Sequence, residues 1–332
     1  MPPRTVVRDD QVFVGARFAV TFQRTLRVPD DGGAYPLPPG LGRLPVRRMR
    51  ACGARAPRAW RAEGGVIVPL YQREALWLGF HAAAWKPNAV QVAVGGVNAV
   101  TGGPWQESLA ADPQNYIVCP EQLWLDGINV AGGFVRQFVA MPLGAGYTVE
   151  EQVTGRAAVG GMQLRVYEPR PGRFPDRPPR ARPATLSAAA VIRPMAAPAL
   201  GLAAGGRIQQ KIYPDRYGVD TWDPAACTSL FVHLVNSEQY EALTGEPPPP
   251  SPISAATYTE HGLPWFVLYD EDRGALPGSP TLAKVKSIGE QDAEAGRGAD
   301  PADAPLTIDP SQVRRLRPPP AEPSPPEGDQ PG

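Results

Sequence analysis

The chain has 332 residues, which is enough to bury one large core or two smaller ones. Its 33 basic residues balance its 33 acidic residues, so no net field attracts nucleic acid or an anionic membrane. Three widely spaced cysteines without a CxxC pair argue against a disulfide scaffold and a structural zinc site, and they fit a reducing cytosol. No signal peptide and no bilayer-length apolar run is recognisable, so we expect a cytoplasmic protein without membrane contact.

Alternating apolar residues predict strands throughout the first half of the chain. Phe18, Val20 and Phe22 alternate with small or polar residues, as in a strand with one buried face. Valines alternate again at 90–94 and lead to Gly95-Gly96, a dipeptide suited to a two-residue hairpin turn. Further apolar runs that favour strands are found at 66–80, 116–125, 134–141 and 162–167.

The second half begins with a proline- and arginine-rich connection, 168–190, which predicts a linker or a long exposed loop. The next runs that favour strands are 207–213, 228–235 and 265–269. A short helix is expected from Asn236 or Ser237 to Gly245, and another over 253–261. Residues 289–332 carry nine acids, four arginines and many prolines, so the composition predicts a disordered acidic tail.

The abundance of proline (42) and glycine (35) favours short strands and many turns over long helices. We therefore predict a mostly β protein, an antiparallel sandwich or barrel-like fold with a few short helices. Residues 1–167 are expected to form a sandwich-like domain. Residues 191–288 are expected to form a second β-rich part, which is either separate or shares the first core.

The segment 134–155 predicts a specific backbone geometry more clearly than any other part of the sequence. An apolar run ends, passes Gly144 and Gly146, and meets a helix start at Thr148. Glycines between a strand and a helix can form a phosphate cradle. However, Thr148 and Glu151 have the spacing of a capping box, so we favour a self-capped structural corner over an anion site.

A metal site has little support in the sequence. Asp215, Asp220 and Asp223 could hold a hard cation in a loop, but they do not match calcium-loop spacing, and such acids are ordinary turn formers. The three histidines are far apart and form no HExxH motif. We predict no metal and no cofactor, with these three aspartates as the candidate ligands if a metal binds.

Catalytic candidates are few. Cys119 ends an apolar run and is the candidate nucleophile, but free cysteines at strand ends are usually buried and inert. Glu121 and Glu151 are the carboxylates that a site assembled from separate strands could use.

Several aromatic residues lie near glycine, proline or acidic residues, at expected strand ends. Trp124, Tyr147 and Trp222, together with Gly144 and Gly146, are our candidates for a ligand-binding site. Such rings could form a platform for a carbohydrate or a peptide, although core packing explains each of them equally well.

Three blocks of sequence occur together: PLYQREALWLGF at 69–80, FVRQFVAMPLGAGYTVEEQVTG at 134–155 followed by GGMQ at 160–163, and GLPWFVLYDED at 262–272. They resemble a family of uncharacterised proteins of bacteria and filamentous fungi, in which these blocks recur in the same order. The resemblance covers the chain from about Phe18 to Ile288. It implies no activity and no catalytic or binding residue.

Our leading hypothesis is a cytoplasmic, non-enzymatic binding or assembly protein whose partner is a protein, a small molecule or a carbohydrate. The first alternative is a hydrolase or lyase that uses loop carboxylates or Cys119. The second is polyanion contact through seven arginines between Arg43 and Arg61, a stretch without acids. Apart from that alternative, nucleic acid is not an expected partner.

Overall fold

Strands are the main regular elements of the structure, a computed structural model that describes residues 5–177, 199–268 and 273–316. The strands are β1 (Val6–Arg8), β2 (Gln11–Val14), β3 (Phe18–Thr25), β4 (Ala34–Tyr35), β5 (Gly40–Arg43), β6 (Arg47–Arg48), β7 (Val66–Leu70), β8 (Ala75–His81), β9 (Asn88–Val94), β10 (Val97–Asn98), β11 (Ile117–Cys119), β12 (Trp124–Leu125), β13 (Gly127–Ala131), β14 (Phe134–Pro142), β15 (Met162–Pro169), β16 (Ala199–Gln209), β17 (Trp222–Asn236), β18 (Trp265–Leu268) and β19 (Val313–Leu316).

The helices are short and lie between the strands. They are α1 (Arg58–Glu63), α2 (Val149–Thr154), α3 (Ser237–Thr244), α4 (Ala255–Glu260) and α5 (Ile288–Glu294), with 3-10 turns at Met49–Arg55, Val219–Thr221, Leu282–Lys284, Pro301–Asp303 and Pro310–Gln312. Within the described ranges, none of the helices has the length and apolar character that a membrane crossing needs.

The strands pair in two runs. One run has the order β1-β2-β3-β8-β14-β16, and all of its pairs are antiparallel. The other has the order β11-β9-β15-β17-β7-β6, in which only β17 and β7 are parallel. The runs join where Leu200 of β16 pairs with Leu234 of β17. The predicted mostly antiparallel β fold is confirmed, and the described strands do not close into a barrel.

Apolar side chains from both runs form one large core. It includes Phe22 of β3, Phe138 of β14, Val92 of β9 and Leu230 of β17, all at 3% exposure or less. Strands β7 and β9 are buried along their whole length. The sequence of β7 is a continuous apolar run, whereas β9 also buries Asn88 and Gln91, whose side-chain amides donate to backbone carbonyls. Strands on both sides of the proline-rich connection contribute to this core and pair with one another, β15 with β17 and β14 with β16. Residues 178–190 of that connection lie outside the described residues.

Several local predictions are confirmed. Val97 pairs with Val94 across Gly95-Gly96, as a two-residue hairpin requires. Helix α3 is capped by Asn236, whose side chain accepts a hydrogen bond from the backbone N–H of Glu238, and by Gly245, which adopts the left-handed conformation after the last turn.

The disorder predicted from residue 289 is wrong for 289–316. This stretch, called the tail segment below, contains α5, two of the 3-10 turns and β19, which pairs in parallel with β18. The composition misleads because the partners of the acids are distant in sequence. The remaining tail, 317–332, lies outside the described residues.

Ion pairs attach the tail segment to the sheet. Arg27, which follows β3, contacts Asp303 at 2.6 Å and Asp300 at 3.0 Å. Arg73, in the turn between β7 and β8, contacts Asp292 at 2.5 Å and Asp300 at 3.2 Å. The side chains of Arg27 and Asp303 are each 7% exposed, so this is a buried ion pair and solvent screens it less than it screens a surface pair.

We expect the Asp303→Asn substitution to lower the free energy of unfolding by about 3 kcal/mol, because it removes a charged partner from a buried guanidinium. Urea denaturation measures the change. Asp309→Asn is the matched control: Asp309 is exposed and caps a 3-10 turn, a role that asparagine also fills, so its cost is about 0.5 kcal/mol or less. Equal costs for the two variants would contradict a buried anchor at 303.

Candidate functional site

The corner after β14 caps itself, as predicted. Thr148 accepts a hydrogen bond from the backbone N–H of Glu151 at 3.2 Å, and the Glu151 carboxylate accepts from the Thr148 N–H at 3.2 Å. The same carboxylate accepts from the N–H of Gly146 at 2.8 Å. Gly144 and Gly146 have φ of +93° and +84°, with open space where a Cβ would lie. The glycines are therefore required by backbone conformation rather than by a close neighbour.

Glu150 organises the following loop, a role that the sequence does not reveal. Its buried carboxylate accepts hydrogen bonds from three successive backbone N–H groups, those of Ala158 at 2.8 Å, Val159 at 2.6 Å and Gly160 at 2.7 Å. Three charge-assisted bonds to one carboxylate hold the loop against α2.

Tyr147 is covered by the tail segment. Its hydroxyl donates to Asp292 of α5, and the guanidinium of Arg297 lies 5.3 Å from its ring centre. The ring is only 7% exposed. In this structure Tyr147 is thus part of the contact between the corner and the tail segment.

The two candidate tryptophans lie in different surroundings. Trp124 is partly exposed and lies beside Trp77, with ring centres 6.4 Å apart. Trp222 is buried, and its indole N–H donates to Asp215 at 2.9 Å. Trp222 packs in a separate apolar cluster with Tyr116 and Tyr167, so the structure does not bring the two tryptophans onto one platform.

The three candidate aspartates make separate local bonds. Asp215 accepts from Trp222, from the hydroxyl of Tyr116 at 2.6 Å and from the N–H of Tyr217 at 2.7 Å. Asp223 accepts from a nearby backbone N–H, and the carbonyl of Asp220 accepts from an arginine. In the part of the chain that the structure describes, no three acids, histidines or cysteines form a group suited to a metal ion.

The catalytic candidates are also apart. Cys119 is fully buried in the main core, and burial raises the pKa of its thiol well above the usual value. Glu121 lies between Arg216 at 2.5 Å and Arg273 at 2.7 Å. Glu151 is engaged in the capping box. The structure does not assemble these three side chains into one site.

A cleft of about 900 Å³ opens between the tail segment and the sheet. We call it the tail cleft. One wall is apolar and comes from β18 and the tail segment: Val267, Leu306, Ile308, Pro310 and Val313. The opposite wall is polar and follows β16: Gln209, Gln210, Lys211 and Tyr213. Its volume is within the range of ordinary ligand sites.

Tyr35 of β4 joins the two walls. Its hydroxyl accepts a hydrogen bond from the backbone N–H of Leu306 at 3.2 Å and donates to Asp31 at 2.7 Å. Burial raises the pKa of this hydroxyl to about 12, so it remains protonated at neutral pH.

Arginines stack on aromatic rings at the tail cleft. The guanidinium of Arg207 lies 4.9 Å from the ring centre of Phe134, and that of Arg273 lies 4.1 Å from Tyr213. Among the described lining residues, Lys211 and Arg315 are charged and none is acidic. Stacking fixes the plane of a guanidinium, whose edge can then donate to a carboxylate or phosphate. The edge of Arg273 already donates to Glu121 at 2.7 Å, so Arg207 is the stacked arginine that can serve a ligand.

A buried carboxyl lies beneath the polar wall. Asp126, in the turn before β13, accepts from the Gln210 side-chain amide at 2.6 Å, and its N–H donates to the Gln210 oxygen at 2.9 Å. The N–H of Gln210 donates to the carbonyl of Gly133, another lining residue, at 3.0 Å. Complete burial raises the pKa of Asp126 to about 7.

Comparison of the chain with protein-family models, with curated proteins and with solved structures gives no match. The resemblance of the three sequence blocks to an uncharacterised family therefore stays a prediction, and the site is described from its own geometry.

We expect Glu150→Gln to lower the free energy of unfolding by about 2 kcal/mol, because the amide NH₂ faces backbone donors where a carboxylate oxygen accepted. Thermal or urea denaturation measures this. Glu151→Gln serves as the control and should cost less than about 1 kcal/mol, since glutamine also closes a capping box. A larger loss for the control would contradict the role given to Glu150.

The pH dependence of stability tests the burial of Asp126. A carboxyl whose folded pKa is about 7, above its ordinary 3.8, binds a proton in the folded state first, so lowering the pH from 8 to 4 stabilises the fold. In Asp126→Asn this contribution is absent. We expect the wild type to gain on the order of 2–4 kcal/mol relative to the variant over that interval, because each pKa unit corresponds to about 1.4 kcal/mol.

Denaturation at several pH values measures the difference. Asp223→Asn, at a partly exposed position near the start of β17, is the matched control and should follow the wild type. Parallel curves for the wild type and Asp126→Asn would show that Asp126 is ionised throughout.

Proposed function

We propose that the protein is a non-enzymatic binding protein of the cytoplasm, and that it holds a peptide segment of a protein partner in the tail cleft. The observation that carries this proposal is the pairing of an apolar wall with a wall of amides and cations in one open cleft. The cytoplasmic setting is supported by the three cysteines, all of which are free thiols.

The two walls favour a ligand with two kinds of side chain. The apolar wall of Val267, Leu306 and Ile308 suits aliphatic groups, whose burial there is favourable. The opposite wall offers the amide of Gln209, and the guanidinium groups of Arg207 and Arg315 at the cleft suit carboxylates. A peptide that alternates apolar and acidic residues presents these groups to opposite sides, because successive side chains of an extended chain point apart.

The stacked arginines favour a peptide over a carbohydrate. Sugar rings bind to exposed aromatic faces, but Tyr35 and Tyr213 are 6% and 7% exposed and Phe134 is covered by Arg207. At Phe134 the cleft offers the guanidinium of Arg207, and a guanidinium binds a carboxylate in a bidentate manner. Arg273, stacked on Tyr213, is already paired with Glu121.

The hydrolase or lyase alternative stays a prediction. Its named residues are engaged elsewhere: Cys119 in the core, Glu151 in the cap and Glu121 between two arginines. Of these, only Glu121 comes near the tail cleft, through Arg273 and its stacking on Tyr213.

Panning a random nonapeptide library against the full chain tests the proposal. We expect enriched peptides that combine acidic and aliphatic residues. The double variant Arg207→Gln/Arg315→Gln should bind such a peptide at least about tenfold more weakly, since a hydrogen bond to a charged group contributes roughly 1.5–3 kcal/mol. Fluorescence anisotropy of the labelled peptide measures the change.

Arg156→Gln is the matched control, because Arg156 is an exposed arginine on the loop after α2, remote in sequence from every lining residue. The proposal fails if no peptide is enriched, or if the double variant and Arg156→Gln bind the enriched peptide equally well.

A further inference from the structure

We propose a second binding surface, separate from the tail cleft, that takes single-stranded nucleic acid. It consists of four exposed arginines, Arg50, Arg55, Arg58 and Arg61, together with the ring of Phe231. We call it the arginine surface. It is independent of the proposed function of the tail cleft.

Local packing turns these arginines outward. The 3-10 turn Met49–Arg55 buries Met49 and Cys52, which pack with Ala56 against Tyr240 and Leu243 of α3. The arginines lie between these apolar residues in the sequence or in α1. If the turn buried them instead, Met49 and Cys52 would lose their packing against α3. The exposure of the arginines follows from the spacing of the apolar residues.

The charge of this surface is not neutralised by neighbouring acids. Arg55 donates to the carbonyls of Cys52 and Thr244, and Arg61 donates to that of Ala56. Within the described ranges, none of the four guanidinium groups forms an ion pair with a carboxylate. By contrast, the nearby Arg47 contacts both Asp10 at 2.8 Å and Glu246 at 2.6 Å.

The tail segment does not shield the arginine surface. Its acids at 290, 292, 300 and 303 pair with arginines elsewhere on the fold, as at Arg27, Arg73 and Arg136. These four acids are therefore engaged and do not neutralise the arginine surface.

Aromatic rings lie directly beside these cations. The ring of His233 is stacked between Trp60, with ring centres 4.9 Å apart, and Phe231, at 4.5 Å. Burial lowers the pKa of His233 to about 4, so the stack is uncharged at neutral pH. His233 also contacts the carbonyl of Gly64 at 2.9 Å and is a packed residue of the fold.

A pocket of about 440 Å³ brings the two chemistries together. It is lined by Arg48, Arg50, Ser229 and Phe231, with Glu63 as the one carboxylate among its described lining residues. A partly exposed aromatic ring next to guanidinium groups suits a base and its phosphate, because bases stack on rings while arginines neutralise the backbone. A lipid surface would need the cations but not the ring.

The test uses the full chain and a fluorescein-labelled oligo-dT of twenty nucleotides, followed by anisotropy between 50 and 200 mM salt. We expect the association constant to fall with salt. The Arg50→Gln/Arg58→Gln variant should reduce the log–log slope by about 1.4, since each phosphate contact to a single strand contributes roughly 0.7. Phe231→Leu should weaken binding about tenfold with the slope unchanged, as loss of one stacked base does.

Two controls make the result specific. Arg156→Gln, and the tail-cleft variant Arg207→Gln/Arg315→Gln, should bind oligo-dT as the wild type does, and melting temperatures should show that all variants are folded. The proposal is overturned if oligo-dT does not bind at 50 mM salt, or if Arg156→Gln reduces the slope equally. It is also overturned if Phe231→Leu has no effect, or if duplex DNA or phosphatidylserine vesicles bind more tightly than oligo-dT.

Discussion

Arg27 and Arg73 hold three aspartates of the tail segment, Asp292, Asp300 and Asp303, against the main sheet. The position of this segment decides what else exists in the molecule, because the segment supplies most of the apolar wall of the tail cleft. Opposite charges at short range orient a chain whose own apolar content is too low to fold alone. The ligand site that we propose is therefore a product of electrostatic attachment as much as of sheet packing.

The sequence predicts the local features well because their causes are local. Period-two alternation depends on neighbours two positions apart and locates β3 and β9. The single buried face expected for β3 is wrong, because Ala19 and Thr21 are buried as well as the apolar residues that alternate with them. The hairpin at Gly95-Gly96, the cap of α3 at Asn236 and the capping box at Thr148 each depend on residues within about four positions. Such patterns can be recognised without knowledge of the fold.

The rest depends on contacts between distant positions. Asp126 meets Gln210 across 84 positions, and Arg27 meets Asp303 across 276. The lining of the tail cleft comes from several separate segments, and no local spacing pattern connects its residues. The predicted aromatic platform failed to assemble for the same reason: Trp124 and Trp222 are at strand ends, as expected, but those ends lie in different parts of the fold.

Within the segment 134–155, Glu150 fills an anion-binding position that the following loop would otherwise offer. Three successive backbone N–H groups that converge on one point form a nest, the arrangement with which proteins bind phosphate and other anions. Here the anion is the carboxylate of Glu150, which belongs to α2 of the same chain. External phosphate is thus excluded because the Glu150 carboxylate already occupies the position where it would bind, and not because nearby acids repel it.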